Sequence, residues 1–265
     1  MDHDLVAGLR AARARLLVGI DFDGTLAPIV DDPTTARPVE GAVAVLEELV
    51  TACAEVAVVS GRPLGFLEPL LPTGVTVVGL YGLESRRHGA HRTHPDADRW
   101  RRTVDDAAAE AARLLPDGTR VEHKGLSLTL HYRGREDLAA AVGEVAARLG
   151  PAGGLEVRAA RMSVELHPPL ATDKGSVLLD LAGAHSGPVL FAGDDLGDLP
   201  AFDALDELAA MGRTVLRVAV VGDETPPELA ARADRTVDGP AGVVALLGGL
   251  VADGPADDPV GGPAD

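Results

Sequence analysis

The stretch Leu16-Leu17-Val18-Gly19-Ile20-Asp21-Phe22-Asp23-Gly24-Thr25 decides how this chain is read. Residues 16–20 are apolar without interruption, which suits a parallel strand covered on both faces better than a half-exposed one. Two carboxylates then leave the end of that strand at i and i+2. Gly24 permits the turn that lets both face one cavity. Taken alone, an Asp-x-Asp pair is an ordinary turn, so its meaning depends on what the rest of the chain places beside it.

Four more runs read as strands of the same kind: 56–59, 75–80, 189–192 and 215–221. Between the first two runs of the chain, Val39, Val43, Leu46 and Val50 recur at helical spacing behind Pro38, making a βαβ unit. An α/β fold with a Rossmann-like open parallel sheet follows. Ligands bind such sheets beyond the carboxyl ends of the strands. There the chain places Asp21-Phe22-Asp23-Gly24-Thr25, Ser60-Gly61-Arg62, Tyr81-Gly82-Leu83-Glu84 and Gly193-Asp194-Asp195. Four strand ends with small or charged residues point to one shared site.

The middle of the chain has a different rhythm. Residues 99–115 read as a helix, 120–124 and 126–132 as a hairpin about Gly125, and 135–149 as an Ala-rich helix. A second hairpin, 155–158 with 162–167, follows, and its alternation of Met162, Val164 and Leu166 with Ser163, Glu165 and His167 marks a half-exposed antiparallel strand. This αββαββ order predicts an inserted α+β cap domain at 86–170, within a discontinuous core made of 1–85 and 171–252. The tail 253–265, all Gly, Pro, Ala, Asp and Val without periodicity, is expected to be disordered.

Composition bounds the function. With 41 acidic against 24 basic residues among 265, the formal charge is −17, which disfavours nucleic acid and anionic membranes as partners. The single Cys53 excludes an internal disulfide framework and a multi-cysteine zinc cluster. It sits late in the first helix and reads as a buried thiol. No signal-like segment or bilayer-length apolar run is evident, so a soluble cytoplasmic protein is expected. His88, His91 and His94 read as a solvated segment, and Trp100 as cap core.

Asp21, Asp23 and Asp194 crowded together would repel one another unless a divalent cation neutralised them. Oxygen donors without a His or Cys cluster favour Mg²⁺ over zinc. A crowded negative field would also suit Asp23 to donate and accept a proton. The Ser60 hydroxyl and backbone N–H groups near Gly24 and Gly61 could hold phosphoryl oxygens. Thr172-Asp173-Lys174-Gly175 reads as a capped helix start, with Lys174 at its positive end as a phosphate site.

Asp21-Phe22-Asp23-Gly24-Thr25, Ser60, Lys174 and Gly193-Asp194-Asp195, in that order, resemble the four motifs of the haloacid dehalogenase superfamily. The resemblance implies an aspartyl-phosphate intermediate on Asp21 and general acid/base action by Asp23. It also implies Mg²⁺ held by the Asp21 carboxylate, the Asp23 main-chain carbonyl and Asp194, with Lys174 pairing phosphate and nucleophile. Asp195 and Asp198 would support that shell.

A narrower likeness rests on Ser60-Gly61-Arg62-Pro63, Gly79-Leu80-Tyr81-Gly82-Leu83-Glu84, Glu122-His123-Lys124-Gly125, Leu130-His131-Tyr132-Arg133 and Val164-Glu165-Leu166-His167-Pro168. These resemble trehalose-6-phosphate phosphatases. By that likeness Glu122, Lys124 and Glu165 would grip sugar hydroxyls from the cap, and Arg62 and Glu84 from the core side. The sequence departs from the family's usual pattern at Tyr81, His123, His167 and Gly197. A small-molecule sugar phosphate is therefore the expected substrate, trehalose 6-phosphate first. Sucrose, mannosylglycerate or glucosylglycerate phosphate is the alternative, and a non-catalytic sugar-phosphate sensor a more distant one.

Overall fold

The computed structural model describes residues 2–30, 32–160, 162–222 and 225–252; the tail 253–265 lies outside them. Among the described residues, twelve strands form two sheets. The first five are β1 (Leu17–Ile20), β2 (Glu55–Val59), β3 (Thr76–Gly79), β4 (Glu84–Arg87) and β5 (Ala90–Thr93). The next four are β6 (Arg120–His123), β7 (Leu128–His131), β8 (Glu156–Ala160) and β9 (Ser163–His167). The last three are β10 (Val189–Gly193), β11 (Val215–Val221) and β12 (Arg235–Asp238).

The large sheet runs β12-β11-β10-β1-β2-β3-β4-β5, parallel from β12 to β3. Strands β1 and β10, and most of β2, β3 and β11, are apolar runs because both faces are covered, as a parallel sheet requires. Val18, Ile20, Val56, Val58, Leu190 and Ala192 face one layer, which includes the helices Ala42–Ala52 and Gly239–Val251. Leu17, Ala57, Val59, Val189 and Phe191 face the other, with the helices Lys174–Gly183 and Leu199–Ala210. Period-two alternation thus feeds two cores from one strand.

The smaller sheet, β6-β7-β9-β8, is antiparallel throughout. The helices Arg101–Leu114 and Ala139–Gly153 cover one face through Val104, Ala108, Leu128, Leu130, Val142 and Leu166. The residues between those leucines on β7, Thr129 and His131, point the other way. That uncovered face looks toward the strand ends of the large sheet.

Two expectations need correction. The strand expected over 75–80 stops at Gly79, because Leu80 and Tyr81 turn into the left-handed region with φ of 49° and 55°. The segment assigned to the cap from residue 86 begins too early, since β4 and β5 extend the large sheet as an antiparallel hairpin. Their polar sequence hid them. Polar pairs tie the hairpin to its neighbours: Arg87 donates to both oxygens of buried Glu55, at 2.8 and 2.7 Å, and exposed His91 donates to Glu68 at 2.7 Å.

Candidate active site

Phe22 is fully buried, with its ring edge-on to Phe66 at 6.0 Å. Anchored there, the turn after β1 presents Asp21 and Asp23 on either side of it. The Asp21 N–H still donates to Ala192 at 2.9 Å, so the carboxylate is held at a rigid strand end. Gly24 has φ of +82°, and a Cβ there would fall 2.1 Å from an Asp194 carboxylate oxygen. Only glycine lets these two segments approach so closely.

Lys174 is the first residue of its helix, whose start is fixed by a reciprocal cap between Asp173 and Ser176. Its buried ammonium lies 2.8 Å from Asp21 Oδ1 and 2.6 Å from Asp198 Oδ1. The other Asp198 oxygen accepts from the N–H groups of Asp194 and Asp195, at 2.9 and 3.1 Å. Fully buried Asp198 therefore clamps the Lys174 ammonium and the loop after β10 at once.

Asp21, Asp194 and Asp198 bring carboxylate oxygens within 4.8 Å of one another. The three are buried, as is the lysine beside them. Burial pushes the Asp21 carboxyl well above its ordinary value; Lys174 opposes this, and Asp198, Asp194 and Asp195 add to it. Burial works against the Lys174 charge, but Asp198 and Asp21 outweigh it and hold the ammonium protonated. One ammonium leaves this group with an excess of negative charge. An all-oxygen donor set of that kind fits a hard divalent cation.

Asp23 is held differently. Both of its carboxylate oxygens accept from Arg62, Oδ2 from Nε at 2.7 Å and Oδ1 from Nη2 at 2.6 Å. Arg62 also donates to the Pro33 carbonyl at 2.7 Å and lies over the Phe66 ring at 4.6 Å. The side chain expected to reach a substrate is thus committed to a second expected site residue. Ser60 sits at the end of β2, where its Oγ accepts from the Arg62 N–H at 3.1 Å and its own proton remains to give.

The uncovered face of the small sheet supplies the opposite wall. Register places Glu122, Thr129 and Glu165 in one row across β6, β7 and β9, and Arg120, His131 and Ser163 in the next. Buried Glu165 accepts from Ser127 Oγ at 2.7 Å and lies 3.7 Å from Lys124 Nζ. His131 donates to Glu122 at 2.7 Å. Burial alone would raise the Glu122 carboxyl, but His131, Lys124 and Arg62 together bring it down to about 2.

Between the walls lies a cavity of about 160 Å³ lined by Asp21, Asp23, Ser60, Arg62, Lys174 and Asp195 on one side and by Glu122, Lys124 and Glu165 on the other. Asp194 and Asp198 stand behind its floor. Glu84 does not join it: the Gly79–Glu84 register turns its carboxylate back to the Leu64 N–H. The cavity is also lined by Tyr81, Thr129, His131, Arg133 and Ser163; Tyr81, His131 and Arg133 lie in the stretches that carry the family likeness, but none of the five is assigned a role there. For Thr129 and His131 a signal existed, the alternation with Leu128 and Leu130. His123 faces away, bonded to Asp105 at 2.8 Å.

Comparison with known proteins places the chain in a family. The trehalose-phosphatase family profile matches residues 19–234. A trehalose-phosphate phosphatase of Mycobacterium avium (strain 104) is 40% identical over 205 residues, covering 71% of this chain and 51% of that protein. An uncharacterized glycosyl hydrolase of Mycobacterium tuberculosis (strain ATCC 25618 / H37Rv) is 39% identical over 219 residues, 72% of this chain and 16% of that protein. The chain thus spans about half the length of the first of these relatives, and less of the second. Among solved structures, the C-terminal domain of C. albicans trehalose-6-phosphate phosphatase superposes with a TM-score of 0.77 at 24% identity, covering 95% of this chain and 97% of that one. At that identity the likeness speaks for the fold.

Proposed function

The chain belongs to the trehalose-phosphatase family, and on that premise we propose that it hydrolyses trehalose 6-phosphate to trehalose and inorganic phosphate. The observation that carries the reading is the two-walled cavity: Asp21, Asp23, Ser60 and Lys174 end one wall, and Glu122, Lys124 and Glu165 face them from the other. Phosphate chemistry on one side and hydroxyl-recognising charges on the other match a phosphorylated sugar.

Asp21, Asp194 and the Asp23 main-chain carbonyl would hold Mg²⁺, which would offset the carboxylate charge that otherwise repels a phosphate dianion. Lys174 steadies the Asp21 carboxylate and offers its remaining proton to a phosphoryl oxygen. The Ser60 hydroxyl adds another donor. A carboxylate oxygen of Asp21 attacks phosphorus while the bond from phosphorus to the sugar oxygen breaks. Asp23, carrying a proton, passes it to that departing oxygen. Water then attacks the aspartyl phosphate and gives a proton to Asp23. Phosphate leaves and the Asp21 carboxylate is restored. Because both Asp23 oxygens accept from Arg62, the first proton transfer requires at least one of those hydrogen bonds to be released when substrate enters.

The test is a panel of phosphorylated mono- and disaccharides, scored by released phosphate with Mg²⁺ and after chelation. Trehalose 6-phosphate should lead the panel and require the metal. Asp21→Asn should abolish turnover while leaving the unfolding transition in place. Wild-type turnover in that variant, or undiminished turnover without metal, would reject the mechanism.

A further inference from the structure

The turn after β3 carries a feature that the proposed chemistry does not use. Leu80, Tyr81 and Gly82 take φ of 49°, 55° and 106° in succession. Two of them carry side chains, and each such residue costs roughly 1 kcal/mol or more in that region. Neighbouring structure enforces the strain. Leu80 is fully buried among Leu83, Ala97, Leu126 and Leu170. The Leu80 N–H donates to the Arg62 carbonyl at 3.0 Å, and the Tyr81 N–H to the Ser60 carbonyl at 3.1 Å. Strain held in place at a site wall is a reason to ask what the displaced side chain does.

The turn drives the Tyr81 ring across the end of β2, so closely that a Cβ on Gly61 would fall 2.5 Å from the Tyr81 hydroxyl oxygen. The His167 ring braces it edge-on at 6.1 Å. Tyr81 lines the cavity together with Asp21, Ser60, Lys174 and Glu165. No hydrogen bond to the hydroxyl is made by the described residues. The nearby Glu165 carboxylate, and then burial, push the phenol well above its ordinary value, so it remains a neutral donor. A rigid, unengaged donor therefore stands where the phosphate wall meets the sugar wall.

We infer that Tyr81 determines specificity by donating its hydroxyl proton to an oxygen of the sugar ring that bears the phosphate, an inference that rests on the function proposed above. The phosphoryl end is already provided for by Lys174, Ser60 and backbone donors. Tyr81 and Glu165 line the same cavity, into which the sugar must extend from the phosphoryl end.

Tyr81→Phe removes one oxygen and keeps the ring against Gly61 and His167. For this variant kcat/KM on trehalose 6-phosphate should fall about tenfold, the worth of one hydrogen bond in a closed polar site. On p-nitrophenyl phosphate it should change less than twofold, with an unaltered unfolding midpoint. An equal loss on both substrates would place the hydroxyl at the phosphoryl group and overturn the assignment, as would no loss on either. Should the wild-type protein release no phosphate from trehalose 6-phosphate, the reading of substrate fails separately. The same comparison then applies to whichever sugar phosphate of the panel it hydrolyses fastest.

Discussion

Lys174 shows how much of the site depends on one charge. It is the ammonium within 2.8 Å of Asp21 and 2.6 Å of Asp198, and all three are buried. Removing that cation strands two buried carboxylates at once, at a cost of about 3–5 kcal/mol, whereas neutralising Asp21 leaves Lys174 paired with Asp198. Lys174→Met should therefore lower the urea midpoint markedly in chelator at pH 7.5. The penalty should shrink at acid pH, where the Asp21 and Asp198 carboxyls, both raised by burial, take up protons. An unchanged midpoint at pH 7.5 would show that the carboxylates there are already neutral. Lys174 was readable from sequence because a capped helix start is a local signal. The Arg62–Asp23 pair was not, since the two residues are distant in the chain and each already had an assigned part. Glu84 misled for the same reason, because its role depends on a hairpin register that no local pattern announces.

At the scale of elements, the small sheet works as a two-sided plate. Leu128, Leu130 and Leu166 hold it to its helices, while Thr129, His131, Ser163 and Glu165 face the cavity. Glu165→Ala should reduce kcat/KM on trehalose 6-phosphate about tenfold or more, the scale of a charged hydrogen bond, and leave a small phosphate ester nearly untouched. Equal losses on the two substrates would remove Glu165 from sugar selection. Glu122 makes a separate prediction about pH. Its folded carboxyl titrates at about 2, below the ordinary 4.5. The stabilisation it contributes is complete above the ordinary value and is lost as pH falls from there through the folded one. Acid unfolding of Glu122→Gln should be flatter than wild type across that window, and parallel curves would contradict the pairing with His131. Five strands of the large sheet, β1, β2, β3, β10 and β11, were legible because burial on both faces writes apolar runs, whereas the edge strand β12, Arg235–Asp238, is half polar and left no such run. The β4–β5 hairpin was not, because its residues are mostly polar and its partners Glu55 and Glu68 lie well before it in the chain.

Across the whole molecule, the site exists only where distant parts of the chain meet. Asp21 and Ser60 come from strands before the small sheet, Lys174 and Asp194 from segments after it, and Glu165 from within it. Ion pairing also spans the mouth, with Arg120 of β6 lying 3.5 Å from Asp32 beside the turn that carries Asp23. The family match over residues 19–234 covers all of these segments. β1 itself is flanked by β2 on one side and β10 on the other, with Leu17 opposite both Glu55 and Val189. During synthesis on the ribosome, the strand bearing Asp21 is therefore left with one open edge until the chain has grown past residue 193. An abbreviated product ending before β10 would keep the first carboxylates, lack the Asp194–Asp198 loop and expose an apolar strand edge to self-association.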